Sequence, residues 1–139
     1  MRSQLILLPL LVQVFLTIAV YVLLNVAKVR AVRRGEVDEA RRSLHDDAWP
    51  DNVLQINNNI RNQFEVPVLF YVLALALLAL NAVSPAAFAF AWLFVLSRIA
   101  HAYVHIGSNY VPMRRRIFAF GCVMVIALAV LTTFAVVTA

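Results

Sequence analysis

The chain has 139 residues, of which 63% are hydrophobic and only 14% are charged, and its formal net charge is +5. A water-soluble domain of this size cannot bury so much apolar surface, so the composition excludes that class. The single cysteine also excludes a disulfide framework.

Long apolar runs predict membrane-spanning helices. The runs 5–26, 66–83 and 117–139 contain no acidic or basic residue, and the run 86–106 is interrupted by Arg98 and two histidines. At about 1.5 Å per residue, each run is long enough to cross roughly 30 Å of hydrocarbon. None alternates polar and apolar residues as a barrel strand does, so we predict an all-α fold, an integral membrane four-helix bundle. The predicted spans of this single domain, residues 1–139, are about 5–29, 61–83, 86–107 and 115–138.

The basic residues predict the orientation of the helices. Six lysines and arginines lie between residues 28 and 42, and three arginines lie at 114–116, whereas the connection 81–85 is uncharged. By the positive-inside rule the two basic loops face the cytoplasm and both termini face the other side. The net charge is therefore explained by topology rather than by nucleic-acid binding. Small size and the absence of a recognisable targeting signal favour a bacterial inner membrane. The mixed-charge stretch 36–42 is expected to continue the first helix beyond the membrane.

Polar residues cluster at the entrance of the second span. Asn58, Asn62 and Glu65 recur at i, i+4 and i+7 and share one helical face, and Arg61 is close enough along the helix to reach Glu65. A carboxylate at the mouth of an apolar run is costly without a partner, which favours a buried ion pair or a ligand contact over a solvated helix end. Pro67, which follows, is interpreted as a tolerated membrane proline.

The third span carries a polar stripe formed by Arg98, His101 and His105 at i, i+3 and i+7. An arginine inside a membrane costs roughly 2.5 to 3.5 kcal/mol on insertion scales, so it should be paired. Glu65 is the only acidic residue in or next to a predicted span, which makes it the expected partner. Two interpretations remain open: an ion pair that locks two helices, or a ligand-binding group. Two imidazoles without a third ligand do not predict a metal site.

The predicted topology brings both clusters into the cytoplasmic leaflet. The second span enters from that side, the third returns to it, and the fourth re-enters behind the arginines 114–116. This convergence predicts a cation-rich site that is open to the cytoplasm. Such a site suits a small anion, with an apolar co-substrate supplied by the bilayer.

Taken in order, the motifs resemble those of a known family. Arg61-Asn62-x-x-Glu65 is closely followed by Pro67, and Arg98-x-x-His101 leads through Gly107 and Pro112 to Arg114. Over nearly its whole length the chain resembles the MAPEG family, the membrane-associated proteins in eicosanoid and glutathione metabolism. The resemblance implies a homotrimer in contact with membrane lipids, with glutathione held between neighbouring subunits near the cytoplasmic face.

The resemblance also implies roles for individual residues. Arg114 resembles the arginine placed near the glutathione thiol, and Arg115 beside it is a second candidate catalytic guanidinium. The implied glutathione-contacting residues are Arg61, Asn62, Glu65, Arg98 and His101, with His105 and Arg30 as further candidates. Arginines suit the two carboxylates of glutathione, and a glutamate suits its amine.

One departure leaves the function open between two classes. Active members carry a tyrosine four residues after the thiol-side arginine, where this chain has Phe118, which cannot donate a hydrogen bond. Arg115 can replace that phenol electrostatically or serve as an ordinary positive-inside residue. The first class is a glutathione-dependent transferase or peroxidase that acts on lipophilic electrophiles or lipid hydroperoxides. The second is a non-catalytic lipid-binding or scaffold protein, including an accessory subunit of a membrane complex.

Overall fold

The computed structural model describes residues 2–138, and this part of the chain contains helices and no strand. The helices are α1 (Leu7–Arg33), α2 (Asp51–Gln63), α3 (Val66–Ala79), α4 (Pro85–Ile106) and α5 (Val111–Val137). Together with a short 3-10 turn at Ser3–Ile6, they form four stretches that are long and apolar enough to cross a membrane. The predicted fold class, an all-α integral membrane four-helix bundle, is confirmed.

The second membrane-crossing stretch is divided into two helices. Helix α2 ends at Gln63 and α3 begins at Val66, and Pro67 occupies the second position of α3. A proline inside a helix has no N–H to donate, and its ring clashes with the carbonyl four residues earlier, which here belongs to Gln63. The proline is therefore tolerated at the start of α3, but it ends α2. Glu65 consequently lies in the break and not on the helical face predicted for it.

The end of α1 contradicts the expectation that residues 36–42 continue this helix. Gly35 has a positive φ of 67°. The Gly35 N–H donates to Val32 O at 3.0 Å, and the Glu36 N–H donates to Ala31 O at 3.1 Å. This pair of bonds is a Schellman motif, which stops a helix at a glycine. The mixed-charge stretch forms turns instead.

Two apolar clusters hold the bundle together. The first joins α3, α4 and α5, and in it the rings of Phe70 and Phe94 lie 4.6 Å apart between centroids. The second joins the C-terminal half of α1 to α2. Helices α4 and α5 approach closely at Gly121, where an added Cβ would lie 2.7 Å from the Ser97 hydroxyl oxygen. Small residues allow this approach between membrane helices, and the approach brings the polar ends of α4 and α5 together.

Candidate functional site

A polar cavity of about 180 Å³ lies where α2, α4 and α5 meet. It is lined by Asn62, His101, Arg114, Arg115 and Phe118. The first four belong to the site predicted from the sequence, and the fifth is the residue that departs from the family pattern. None of the lining residues is acidic. The cavity therefore has a positive electrostatic environment that favours an anion.

Arg98 lies behind this cavity and is only 1% exposed. Its Nη2 donates to the carbonyl oxygen of Asn62 at 3.0 Å, and its guanidinium carbon lies 5.6 Å from the centre of the Phe118 ring. The carbonyls in the last turn of a helix have no helical partner, so Arg98 satisfies one of those released where α2 ends. The buried Arg98 Nε has no hydrogen-bond partner within residues 2–138. One donor of the guanidinium is therefore not used by the described residues of the subunit.

The ion pairs predicted around Glu65 are wrong. No carboxylate in the described part of the chain lies within salt-bridge distance of Arg98. Arg61 pairs with Asp46 and not with Glu65. The physical reason is the break before α3, which leaves the Glu65 side chain exposed on the surface of the subunit.

His101 and His105 are buried next to each other, with exposed fractions of 2% and 3%. Their ring centroids are 5.4 Å apart, and the His101 ring lies 5.7 Å from the ring of Phe118. The Nδ1 atom of each imidazole lacks a hydrogen-bond partner among residues 2–138. Buried polar atoms in proteins are nearly always hydrogen-bonded. Of the two histidines, only His101 lines the cavity, where its unpartnered Nδ1 is consistent with a bound polar ligand.

Arg114 is oriented by the turn between α4 and α5. Its Nη1 donates to the side-chain oxygen of Asn109 at 2.5 Å. Asn109 has a positive φ of 51°, which asparagine tolerates better than most residues, and its N–H donates to Val104 O at 2.8 Å. Asn109 was not among the predicted site residues, although the Gly-Ser-Asn sequence at 107–109 is a turn signal. Arg115 also lines the cavity, whereas Arg116 is exposed and does not.

The α4 end of the site is held by Gln55, which the sequence analysis also missed. Its Nε2 donates to the carbonyl oxygens of His105 at 2.7 Å and Ile106 at 2.9 Å. These carbonyls belong to the last turn of α4 and need an external donor. Gln55 thereby fixes the C-terminal turn that carries His105 against α2.

A buried chain of amides supports the α2 side and was not predicted. The Gln13 Nε2 donates to Gln63 Oε1 at 2.8 Å, and the Gln63 Nε2 donates to Asn59 Oδ1 at 3.0 Å. All three side chains are at most 1% exposed. Two sequence features could have indicated this chain of amides. Gln13 is a polar residue within the first apolar run, and Asn59 and Gln63 are four residues apart on α2. The chain joins α1 to the end of α2, next to Asn62.

Five predicted site residues do not line the cavity, and three of them are exposed on the subunit surface. Arg30, Arg61 and Glu65 are exposed, the first near the end of α1 and the others around the end of α2. His105 is buried next to His101 without lining the cavity. A single subunit thus brings together the polar groups of α2, α4 and α5, and it leaves the remaining candidates on its surface.

Comparisons with known proteins identify the family. The model of the MAPEG family matches residues 6–134, which include all four membrane-crossing stretches except their outermost residues, and every residue that lines the cavity. Searches of curated proteins and of solved structures returned no significant match. The family match extends over nearly the whole chain, and this protein therefore belongs to the MAPEG family.

Proposed function

We propose that the protein is a glutathione-dependent membrane transferase or peroxidase that acts on lipophilic electrophiles or lipid hydroperoxides. The observation that carries this proposal is the cavity without acidic residues, which is lined by His101, Arg114 and Arg115 and backed by Arg98. A buried guanidinium without a carboxylate partner is costly in a membrane unless it serves a ligand. Glutathione carries two carboxylates and an ionisable thiol, and these are the groups that such a cavity favours.

The residues present fit part of a glutathione molecule. The free Arg98 Nε and the unpartnered His101 Nδ1 are suited to hydrogen bonds with a polar anionic ligand. The cavity of about 180 Å³ is smaller than the roughly 300 to 1,000 Å³ typical of small-molecule pockets. A second surface must therefore hold the rest of the tripeptide.

A homotrimer supplies that second surface in our proposal. Arg61 and Glu65 are exposed near the cavity residue Asn62, and Arg30 is exposed near the end of α1. Glu65 has the charge needed to bind the ammonium group of glutathione, and the two arginines can bind its carboxylates. Assembly of three subunits would place these groups at the interfaces, where each site combines residues of two neighbours.

The residues of the cavity have distinct chemical roles. Glutathione supplies the thiol, which can attack an electrophile or reduce a hydroperoxide. The guanidinium of Arg114, held in place by Asn109, stabilises negative charge at the position assigned to sulfur, and Arg115 adds a second positive charge. A nearby guanidinium favours thiolate over thiol. Phe118 contributes an apolar wall that restricts water.

The proposed setting is a bacterial inner membrane, with both termini on the non-cytoplasmic side. The basic loop after α1 and the arginines at the start of α5 would then face the cytoplasm, where glutathione is available. The lipophilic substrate would reach the site from the bilayer.

A non-catalytic role is the second candidate, and one observation favours it. Phe118 lines the cavity itself, so no hydroxyl is available at the position where active members have a tyrosine. In that case the protein would bind lipid or act as a scaffold, including as an accessory subunit of a membrane complex.

The test combines binding with turnover. Glutathione binding to the detergent-purified protein is measured by calorimetry, with S-methylglutathione as the thiol-blocked control, and turnover is measured with 1-chloro-2,4-dinitrobenzene and with cumene hydroperoxide. Binding with turnover supports the enzyme, and Phe118→Tyr should then increase turnover without weakening binding. Binding without turnover in both the wild type and Phe118→Tyr supports a binding protein. No glutathione binding contradicts both the cofactor assignment and the enzyme.

A further inference from the structure

A second polar cavity, which we call the α1–α2 interfacial pocket, shares no lining residue with the site described above. Its volume is about 120 Å³. It lies between the last turns of α1, the loop before α2 and the first turns of α2, and its lining includes Lys28, Arg42, Asp46, Trp49, Val53 and Asn57. The volume is about four times the roughly 30 Å³ that one water molecule occupies in the liquid, which is enough room for a phosphate group.

The charges around the pocket leave one cation without a partner. Arg42 Nε pairs with Glu39 Oε2 at 2.8 Å, and Asp46 pairs with Arg61. Lys28 has no carboxylate within salt-bridge distance in the part of the chain that the structure describes. The pocket and its paired neighbours therefore carry a net positive charge, and that charge is located at Lys28.

The contacts of Lys28 direct its ammonium group toward the pocket wall. Lys28 Nζ lies 4.9 Å from the centre of the Trp49 ring, and Lys28 is itself partly buried. The side chain of Asn57 adds a neutral donor, and Val53, which is 1% exposed, adds an apolar floor. A compact ammonium beside an amide donor is suited to a tetrahedral oxyanion.

The position of the pocket along α1 indicates where that oxyanion comes from. Lys28 follows directly on the apolar run 5–26, and its neighbour Val29 is 42% exposed on the outer surface of the helix. Trp49 is of a residue type enriched at the boundary between hydrocarbon and water. The pocket thus lies at headgroup level, with a lipid-facing surface next to it.

We propose that the α1–α2 interfacial pocket binds the phosphate group of an anionic membrane phospholipid. Lys28 supplies the charge, Asn57 supplies a hydrogen bond, and Trp49 and Val53 contact the glycerol end of the headgroup. This binding is independent of glutathione chemistry, and it fixes the loop before α2 to the membrane surface.

Fluorescence of Trp49 provides the test. The chain has two tryptophans, so Trp92→Phe leaves Trp49 as the only one. The Trp92→Phe protein is placed in phosphatidylcholine nanodiscs that contain increasing fractions of phosphatidylglycerol, and Trp49 emission is recorded. The expected result is a saturable change with phosphatidylglycerol. Lys28→Gln should raise the half-saturating fraction about fivefold, as expected for the loss of one headgroup contact, while Lys28→Arg retains saturation.

Arg33→Gln is the matched control, because Arg33 is an exposed cation of the same helix end that does not line the pocket. It should leave the half-saturating fraction nearly unchanged. Equal shifts for Lys28→Gln and Arg33→Gln would overturn the proposal in favour of general surface attraction. A saturating response to soluble glycerol phosphate in pure phosphatidylcholine would overturn the assignment to lipid, and the absence of any response to phosphatidylglycerol would overturn the site.

Discussion

The arginines of two regions in this molecule have different kinds of partner. Around the loop before α2, each arginine with a close partner contacts a carboxylate: Arg41 contacts Asp47, Arg42 contacts Glu39, and Arg61 contacts Asp46. Around the cavity, Arg98 contacts a backbone carbonyl and Arg114 contacts an amide oxygen. The first region pairs these arginines with carboxylates of the same subunit, whereas no carboxylate among the described residues pairs with Arg98 or Arg114.

In our proposal, this difference separates arginines that form surface ion pairs from arginines that belong to the glutathione site. Exposed ion pairs contribute about 0 to 1 kcal/mol each, so the loop can gain or lose one with little effect. A guanidinium that is 1% exposed and has a free Nε is costly for the fold on its own. We therefore interpret this guanidinium as part of the proposed anion-binding site.

The largest expected effect follows from removing the buried guanidinium. Arg98→Met should abolish the stabilisation that glutathione gives, because the buried positive charge beside Asn62 and Phe118 is lost. In the wild type that stabilisation should reach about 2.7 kcal/mol at a ligand concentration 100 times Kd. Thermal unfolding in detergent, with and without glutathione, measures it. Arg98→Lys is the control that keeps the charge without the planar fork. Retention of the glutathione effect in Arg98→Met would show that the unpaired charge has another purpose.

The next largest effect is expected from a change at the close contact between α4 and α5, two of the helices that form the cavity. Gly121→Ala places a methyl group 2.7 Å from the Ser97 hydroxyl oxygen, so α4 and α5 must separate or the side chain must move. Overpacking of this kind costs about 1 to 3 kcal/mol, and the separation should also weaken glutathione binding. Unfolding and binding are measured in the single variant and in Gly121→Ala with Ser97→Ala. If removing the hydroxyl in the double variant restores neither property, the close contact is not the cause.

A smaller effect is expected from the amide chain on the α2 side. Gln63→Leu removes the residue that bonds both Gln13 on α1 and Asn59 on α2, at a cost of about 0.6 to 1.7 kcal/mol, the average and the maximum for hydrogen bonds between membrane helices. Since Gln63 is adjacent to Asn62, glutathione affinity should fall as well. The control is Gln13→Leu, which breaks only the bond to α1. Equal effects of both changes on affinity would assign the role to helix packing alone.

The smallest effect is expected from breaking the exposed ion pair between Arg41 and Asp47 in the loop before α2. The Arg41 guanidinium lowers the pKa of Asp47 below its ordinary value of 3.8. A carboxylate whose pKa is lowered in the folded state stabilises the fold at pH values above its ordinary pKa. That contribution is lost as the pH falls through the pKa of the folded state. Asp47→Asn should therefore speed amide hydrogen exchange in the turns at 38–48 at neutral pH, and the difference from the wild type should vanish in acid. A difference that is the same at all pH values would contradict the ion pair as its cause.

The sequence predicted features that depend on local pattern. Run length and charge placement were sufficient for four membrane-crossing helices, and helical spacing placed Arg98 and His101 on one face. The family resemblance added Arg114, which together with His101 and Asn62 lines the cavity. The order of the helices then brought these residues together.

Features that depend on contacts distant along the chain were not predictable from spacing. Arg61 reaches Asp46 because the loop before α2 folds back on that helix, and no sequence pattern shows where a loop folds. The sequence predicts a tolerated proline at Pro67, but this proline ends α2, leaves Glu65 exposed and so removes the predicted partner of Arg98. Gln13 was passed over within an apolar run because its partner Gln63 is 50 residues away.

The most direct test of the central claim uses the three consecutive arginines at the start of α5. Arg114 lines the cavity and Arg116 does not, although both are cations in the first turns of the same helix. The measurement is the ultraviolet difference absorbance of thiolate when glutathione is added to the wild type, Arg114→Ala and Arg116→Ala. We predict a thiolate signal in the wild type that Arg114→Ala removes and Arg116→Ala leaves intact. Equal signals in the two variants, or the absence of a signal in the wild type while glutathione binds, would contradict a cavity that activates the thiol.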